Sequence, residues 1–130
     1  MFTETVSPRF CETDALGHIN NTVVPMWFEK AREPVFRFFS PDLNVKDWRL
    51  ILARIEVDFR AQIFYGKDLD IHTRLERIGN SSMVVTQDAV QEGVICAVGK
   101  SVLIHFDYQQ QVATPIPDSI REQLQEHISS

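Results

Sequence analysis

The spacing of apolar side chains changes period once along this chain, and that change limits the fold more than any other feature. Between residues 22 and 39, Val23, Val24, Trp27, Phe28, Ala31, Val35, Phe38 and Phe39 recur in steps of three and four, which puts them on one broad stripe of a helix. From residue 51 the period becomes two. Ile51, Ala53, Ile55, Val57 and Phe59 alternate with Leu52, Arg54, Glu56, Asp58 and Arg60, as in a strand with one buried face. Leu69, Ile71, Thr73 and Leu75 alternate with polar neighbours in the same way. Residues 83–90 and 94–106 read as further strands, joined by turns at Gly79-Asn80-Ser81-Ser82 and Glu92-Gly93,. Residues 2–11 read as one more strand, 40–47 as a loop and 118–127 as a short polar helix. A long apolar helix followed by strands on tight turns predicts an α+β domain, its sheet largely antiparallel and its helix deep against that sheet.

Local signals refine this outline. Asn20, Asn21 and Thr22 have short polar side chains suited to the unbonded amides of a first helical turn. Pro25 lies close enough to the helix start to be tolerated. Pro34 should either kink the helix or end it at Glu33 and open a second short turn. Gly99, inside an apolar strand, marks a bulge or a close approach.

The length of 130 residues suits one domain, 1–130,. Thirteen Lys and Arg against 18 Asp and Glu give a net charge of −5, which argues against a nucleic-acid partner, since phosphate neutralisation needs a concentrated basic face. No apolar run approaches the ~20 residues of a membrane helix, and the first residues lack a basic-then-apolar export signal. A cytoplasmic protein without a membrane partner is expected, its two cysteines reduced. His18, His72, His105 and His127 have no metal-ligand spacing,. There is no glycine-rich phosphate loop and no G-x-S-x-G elbow. Cys11 has no partner histidine in a known local pattern and reads as a strand residue. No metal site is expected.

The densest polar run outside the tail extends from Glu12 to Thr22, between a strand and the start of the apolar helix. A helix start offers free N–H groups and partial positive charge, which suit a developing oxyanion. Asp14 can act as base on a water molecule or attack a carbonyl carbon itself. Gly17 permits a backbone path denied to other residues, and His18 can orient substrate or move a proton. The same Asp and Asn residues also suit plain turn and capping roles.

Asp14-Ala15-Leu16-Gly17-His18-Ile19-Asn20-Asn21 resembles the D-x-x-G-H-V/I-N-N signature of the 4-hydroxybenzoyl-CoA thioesterase-like branch of the hotdog-fold superfamily. Trp27-Phe28-Glu29-Lys30-Ala31-Arg32 is similar to that group's aromatic-aromatic-E-x-A-R helix. Arg77-Ile78-Gly79-Asn80-Ser81-Ser82 is similar to its R-x-G-x-S-S turn. The resemblance implies a hotdog fold, with an antiparallel sheet of five or six strands wrapped around one long helix. It implies homodimers joined sheet edge to sheet edge, or homotetramers made of two such dimers, with active sites at the subunit interface. It also implies cofactor-free hydrolysis of acyl-CoA, or acyl carrier protein, thioesters.

Carried over residue by residue, the resemblance puts the acidic catalytic role on Asp14, the oxyanion amide near Asn21 and a supporting role on His18. Gly17, Asn20, Arg77, Ser81 and Ser82 become substrate-binding candidates. Another hotdog branch uses a helix-borne Glu as base, which raises Glu29, a residue that can equally pair with Arg32. Arg54, Arg60, Arg74, Arg77 and Lys100 are candidates for a CoA tail, and Trp27, Phe28, Phe59 and Phe64 for an acyl pocket. The alternative is a hotdog module that binds acyl-thioesters without hydrolysing them, because a fold licenses no activity without its site.

Overall fold

The computed structural model describes residues 1–128. In chain order the elements are β1 (Phe2–Val6), α1 (Val23–Ala31), α2 (Glu33–Phe39), β2 (Leu50–Phe59), β3 (Leu69–Ile78), β4 (Ser82–Gln91), β5 (Val94–Asp107), β6 (Val112–Ala113) and α3 (Asp118–Gln125). Short 3-10 turns cover Phe10–Glu12 and Val45–Asp47. The strands are ordered β1-β3-β4-β5-β2, with β6 on the end of β5, and every pairing is antiparallel. None of the described helices is long and apolar enough to cross a membrane.

The helical stripe is buried as its periodicity predicts. Val23, Val24, Trp27, Phe28 and Ala31 of α1 pack on Leu69, Ile71, Ala89 and Ala97 of the sheet. Val35 and Phe39 of α2 join a second cluster with Leu75, Val85, Leu103 and Leu124. Phe38 is only half-buried. The helix breaks at Arg32, whose N–H is shared between the Phe28 and Glu29 carbonyls. Pro34 then sits in the first turn of α2, where a missing N–H costs nothing. Gly99 is a close approach, because a methyl group there would lie 2.7 Å from Phe28 Cε2.

Three expectations are corrected. The first strand stops at Val6, and Cys11 lies exposed in the Phe10–Glu12 turn; Pro8 interrupts the run and cannot donate to a ladder. The helix read over 118–127 ends at Gln125. In β2 the register slips by one residue between Leu52 and Arg54, so Ala53 is a bulge and the alternation changes parity there. Leu50 and Leu52 pair with the inward-facing His105 and Leu103, whereas Ile51 lies opposite Ile104 on the outer face. Beyond the bulge Ile55, Val57 and Phe59 face inward, opposite Ser101, Gly99 and Ala97. Even so, Leu52, Ile55 and Phe59 are 46%, 40% and 52% exposed, because β2 is an edge strand of the sheet.

Candidate active site at the Asp14 loop

The segment from Thr13 to Ile19 is a tight loop closed by a bridge between its two ends. Asp14 N–H donates to His18 O at 2.7 Å, and the loop is laid against residues 63–65 by Ile19 N–H to Ile63 O (2.8 Å) and Tyr65 N–H to Gly17 O (3.3 Å). Gly17 has φ +82°, and a methyl group there would meet nothing within 4 Å. The requirement at Gly17 is thus the backbone angle rather than space.

The two carboxylate oxygens of Asp14 have different surroundings. Oδ1 accepts from Leu16 N–H at 2.7 Å and His18 N–H at 3.1 Å, the short-range bonding that aspartates make in turns. Oδ2 lies 4.0 Å from His18 Nδ1, and the side chain is 38% exposed. The His18 ring stands edge-on to Phe64, centroids 5.2 Å apart. Around this loop Phe10 and Leu16 are 75% and 78% exposed, and Phe64 and Tyr65 are also exposed.

Glu12 anchors the loop from below. It is buried, its carboxylate accepting from Arg9 N–H (2.7 Å), the Trp27 indole N–H (3.1 Å) and the Arg9 guanidinium (3.4 Å). Its main-chain carbonyl accepts from Asn20 N–H at 2.9 Å. Burial pushes the Glu12 carboxyl upward, but these hydrogen bonds outweigh it and hold the group below its ordinary range,. Sequence reading passed over Glu12. The available signal was Trp27, whose indole N–H needs an acceptor once the helical stripe is buried.

Just ahead of α1, Asn20 closes the turn into the helix, whose N-cap, Thr22, makes no side-chain capping bond. Asn20 Oδ1 accepts from Thr22 N–H and Thr22 Oγ1, both at 3.0 Å, and its carbonyl accepts from Val23 N–H. Asn21 is exposed, and neither its N–H nor its carboxamide is bonded among the described residues. It lines a cavity of about 480 Å³ with Val24, Phe59, Arg60, Gln62 and Ile63. Asp14 is not in that wall.

Arg77, Ser81 and Ser82 lie elsewhere within the chain. They occupy the far end of β3 and the turn into β4, about 30 Å along the strand from the Asp14 end,. Ser81 O accepts from His105 N–H, and Ser82 O from Gly79 N–H, both at 2.7 Å. Arg77 points to the outer face, in a hollow of about 420 Å³ shared with Arg54, Glu76 and Lys100. Among the cationic candidates, Arg54 pairs with Glu56, Arg74 with Asp88 (2.5 Å) and Lys100 with Glu76 (3.3 Å). Arg60 and Arg77 make no ion pair among the described residues. Of the aromatic candidates, Trp27 and Phe28 are core residues, whereas Phe59 lines the Asn21 cavity. Glu29 is exposed and makes no ion pair with Arg32. It borders a groove of about 900 Å³ with Met26, Phe36, Trp48 and Tyr108. Among the described residues there is no group of three or more His, Cys, Asp or Glu placed to hold a metal ion.

A curled antiparallel sheet around a central helix, with a D-x-x-G-H loop at the helix start, is the hotdog architecture of the thioesterases. The chain belongs to the thioesterase-like superfamily, whose family model matches residues 8–124. A predicted thioesterase from Bacillus stearothermophilus is 47% identical, with 98% of this chain and 96% of that chain covered and a TM-score of 0.95. A thioesterase from Thermus thermophilus, crystallised with coenzyme A and Zn, is 31% identical, covering 95% and 96% of the two chains with a TM-score of 0.85. The uncharacterized protein YsmA of Bacillus subtilis is 27% identical over 124 residues, 95% of this chain and 84% of its own length. This membership supports thioester hydrolysis in general.

Proposed function

We propose that the chain hydrolyses acyl-CoA thioesters and works as an edge-to-edge pair of copies, with Asp14 as the acting carboxylate. The observation that carries this reading is the division of labour within Asp14. Oδ1 fixes the loop through two backbone N–H groups, while Oδ2 accepts no hydrogen bond among the described residues and lies 4.0 Å from His18 Nδ1. A carboxylate held by one oxygen is positioned without losing the other as base or nucleophile.

The thioester carbonyl oxygen would take the Asn21 N–H, which has no partner among the described residues, at the positive end of α1. Asp14 either removes a proton from water as it attacks the carbonyl carbon, or attacks that carbon itself. On the base route, collapse of the tetrahedral adduct expels the thiolate, which takes up the proton held by Asp14. On the nucleophilic route collapse expels the thiolate and leaves a mixed anhydride, and the thiolate is protonated from the water of the next step. In the nucleophilic route a second step, attack of water on the mixed anhydride, frees the acid. Single turnover in oxygen-18 water tests the nucleophilic route, since label in the enzyme requires water to attack the aspartyl carbon of the anhydride and cannot arise on the base route. Arg60, on the wall of the Asn21 cavity and without an ion pair among the described residues, is the cation assigned to the phosphates of CoA.

The second copy is argued from β2. An outermost strand with inward-facing Leu52, Ile55 and Phe59 left exposed is an unpaired edge that a second chain can cover. Antiparallel pairing of two β2 strands turns the Leu50 end of one toward the Phe59 end of the other. The Arg77–Ser82 turn of one copy then comes to the Asp14 end of its neighbour, so residues far apart in one chain can serve one site. The exposed Phe10, Leu16, Phe64 and Tyr65 fit a loop that is covered by substrate or neighbour.

Thiol release from short, long and aromatic acyl-CoAs tests the reading. Turnover on at least one class is expected, and flat traces across all of them would favour a binding module instead.

A further inference from the structure

Between the α1–α2 break and strands β2 and β5 lies a cavity of about 140 Å³, walled by Phe36, Trp48, Leu50, Leu52 and Leu103, with Arg32 at its polar corner. Arg32 is only 2% exposed. Its Nη1 donates to Gln87 Oε1 at 3.2 Å, whereas Nε is buried without a partner. A guanidinium carries five N–H donors, and among the described residues only Nη1 finds an acceptor. Gln87 is fixed in place by its own donations to Phe28 O (2.8 Å) and Thr73 Oγ1 (3.0 Å). Burial pushes the Arg32 guanidinium below its usual range, and the charge of Glu29 offsets this only in part.

One neutral hydrogen bond does not offset the desolvation of a buried cation. A residue needed only to fill space at this break would do better as an apolar side chain of similar length. The unused donors belong to a group lining a cavity whose other walls, Glu29 apart, are apolar, so the chemistry that completes them is an acceptor at the end of an apolar chain. Glu29 also borders this cavity and opposes an anion, but its carboxylate is exposed and screened by solvent, whereas Arg32 is not.

We infer that this cavity receives the far end of the acyl group, and that Arg32 selects acyl chains ending in a carboxylate over plain alkyl chains. This deepens the acyl-thioester reading and rests on it. Arg32 follows Asn21 by 11 positions, about 16 Å along a helix. The chain length that fits therefore depends on which copy's carbonyl site the cavity serves.

The test compares kcat/KM for acyl-CoAs of matched length with and without a terminal carboxylate, from glutaryl and pentanoyl to dodecanedioyl and dodecanoyl. The wild type should favour the carboxylated member at least ~10-fold at its best length. Arg32→Met should lose ~100-fold on that substrate and little on its alkyl counterpart. Arg32→Lys, which keeps the charge with fewer donors, should fall between them and replaces Arg32→Met if that variant does not fold. Equal kcat/KM within every pair, or a preference that survives in the variants, overturns the inference.

Binding of free dicarboxylates, read from Trp48 emission with Trp48→Phe as control, needs no hydrolysis. Saturable binding that Arg32→Met abolishes, in a protein that hydrolyses none of the acyl-CoAs, upholds the subsite and removes the thioesterase reading alone. Without hydrolysis, failure of every dicarboxylate to bind removes the subsite as well.

Discussion

Gly99 of β5 and Phe28 of α1 are in direct contact, the ring lying where a methyl group at position 99 would sit, 2.7 and 2.8 Å from two of its carbons. Phe28 is fully buried, so the ring has little room to yield. Gly99→Ala should lower unfolding stability by ~1–3 kcal/mol in a denaturant titration. Gly17→Ala meets no neighbour and should cost only the ~1–2 kcal/mol of a left-handed backbone. Equal stability of Gly99→Ala and wild type would contradict the contact.

Glu12 supplies a pH-dependent share of stability. Its folded carboxyl is held below its ordinary value of 4.5. The contribution is therefore present above about pH 4.5 and is lost as pH falls through the lower folded value. Glu12→Gln should be destabilised at neutral pH by ~1.5–3 kcal/mol. The gap should close in acid, where the wild-type carboxyl is itself protonated. A gap that stays constant from pH 7 to 3 would show that charge at Glu12 has no part in it.

The exposed inner face of β2 predicts the assembly. Ile55→Glu places charge on the edge where the second copy would join, and should yield a folded monomer in sedimentation velocity. Thioesterase activity should fall at least ~10-fold with it, because a site drawing on two copies cannot form. Unchanged mass with unchanged activity would place the interface elsewhere.

How far the chain could be read from its sequence depends on which physical signal reports which feature. The helical stripe from Val23 to Phe39 and the alternation in β3 were legible because period reports burial directly. In β2 the same reasoning placed Ile51 on the inner face, since a one-residue bulge at Ala53 leaves no mark in composition,. Asp14, His18 and Asn21 were legible as a motif. The split between Oδ1 and Oδ2 of Asp14 was not, because it depends on the path of the loop through Gly17. Arg32 was visible only as a motif letter. Arginines are mostly exposed, and only packing against Gln87 and Leu103 marks this one as buried.

Asp14→Asn tests the central claim most directly, because it separates the two roles of that side chain. The asparagine Oδ1 can still accept from the Leu16 and His18 N–H groups, while the charge and the acting oxygen are lost. Measured as thiol release from the best acyl-CoA, turnover should fall at least ~100-fold, with KM and melting temperature near those of the wild type. Turnover within a few-fold of wild type would contradict the account and leave Asp14 a loop residue only.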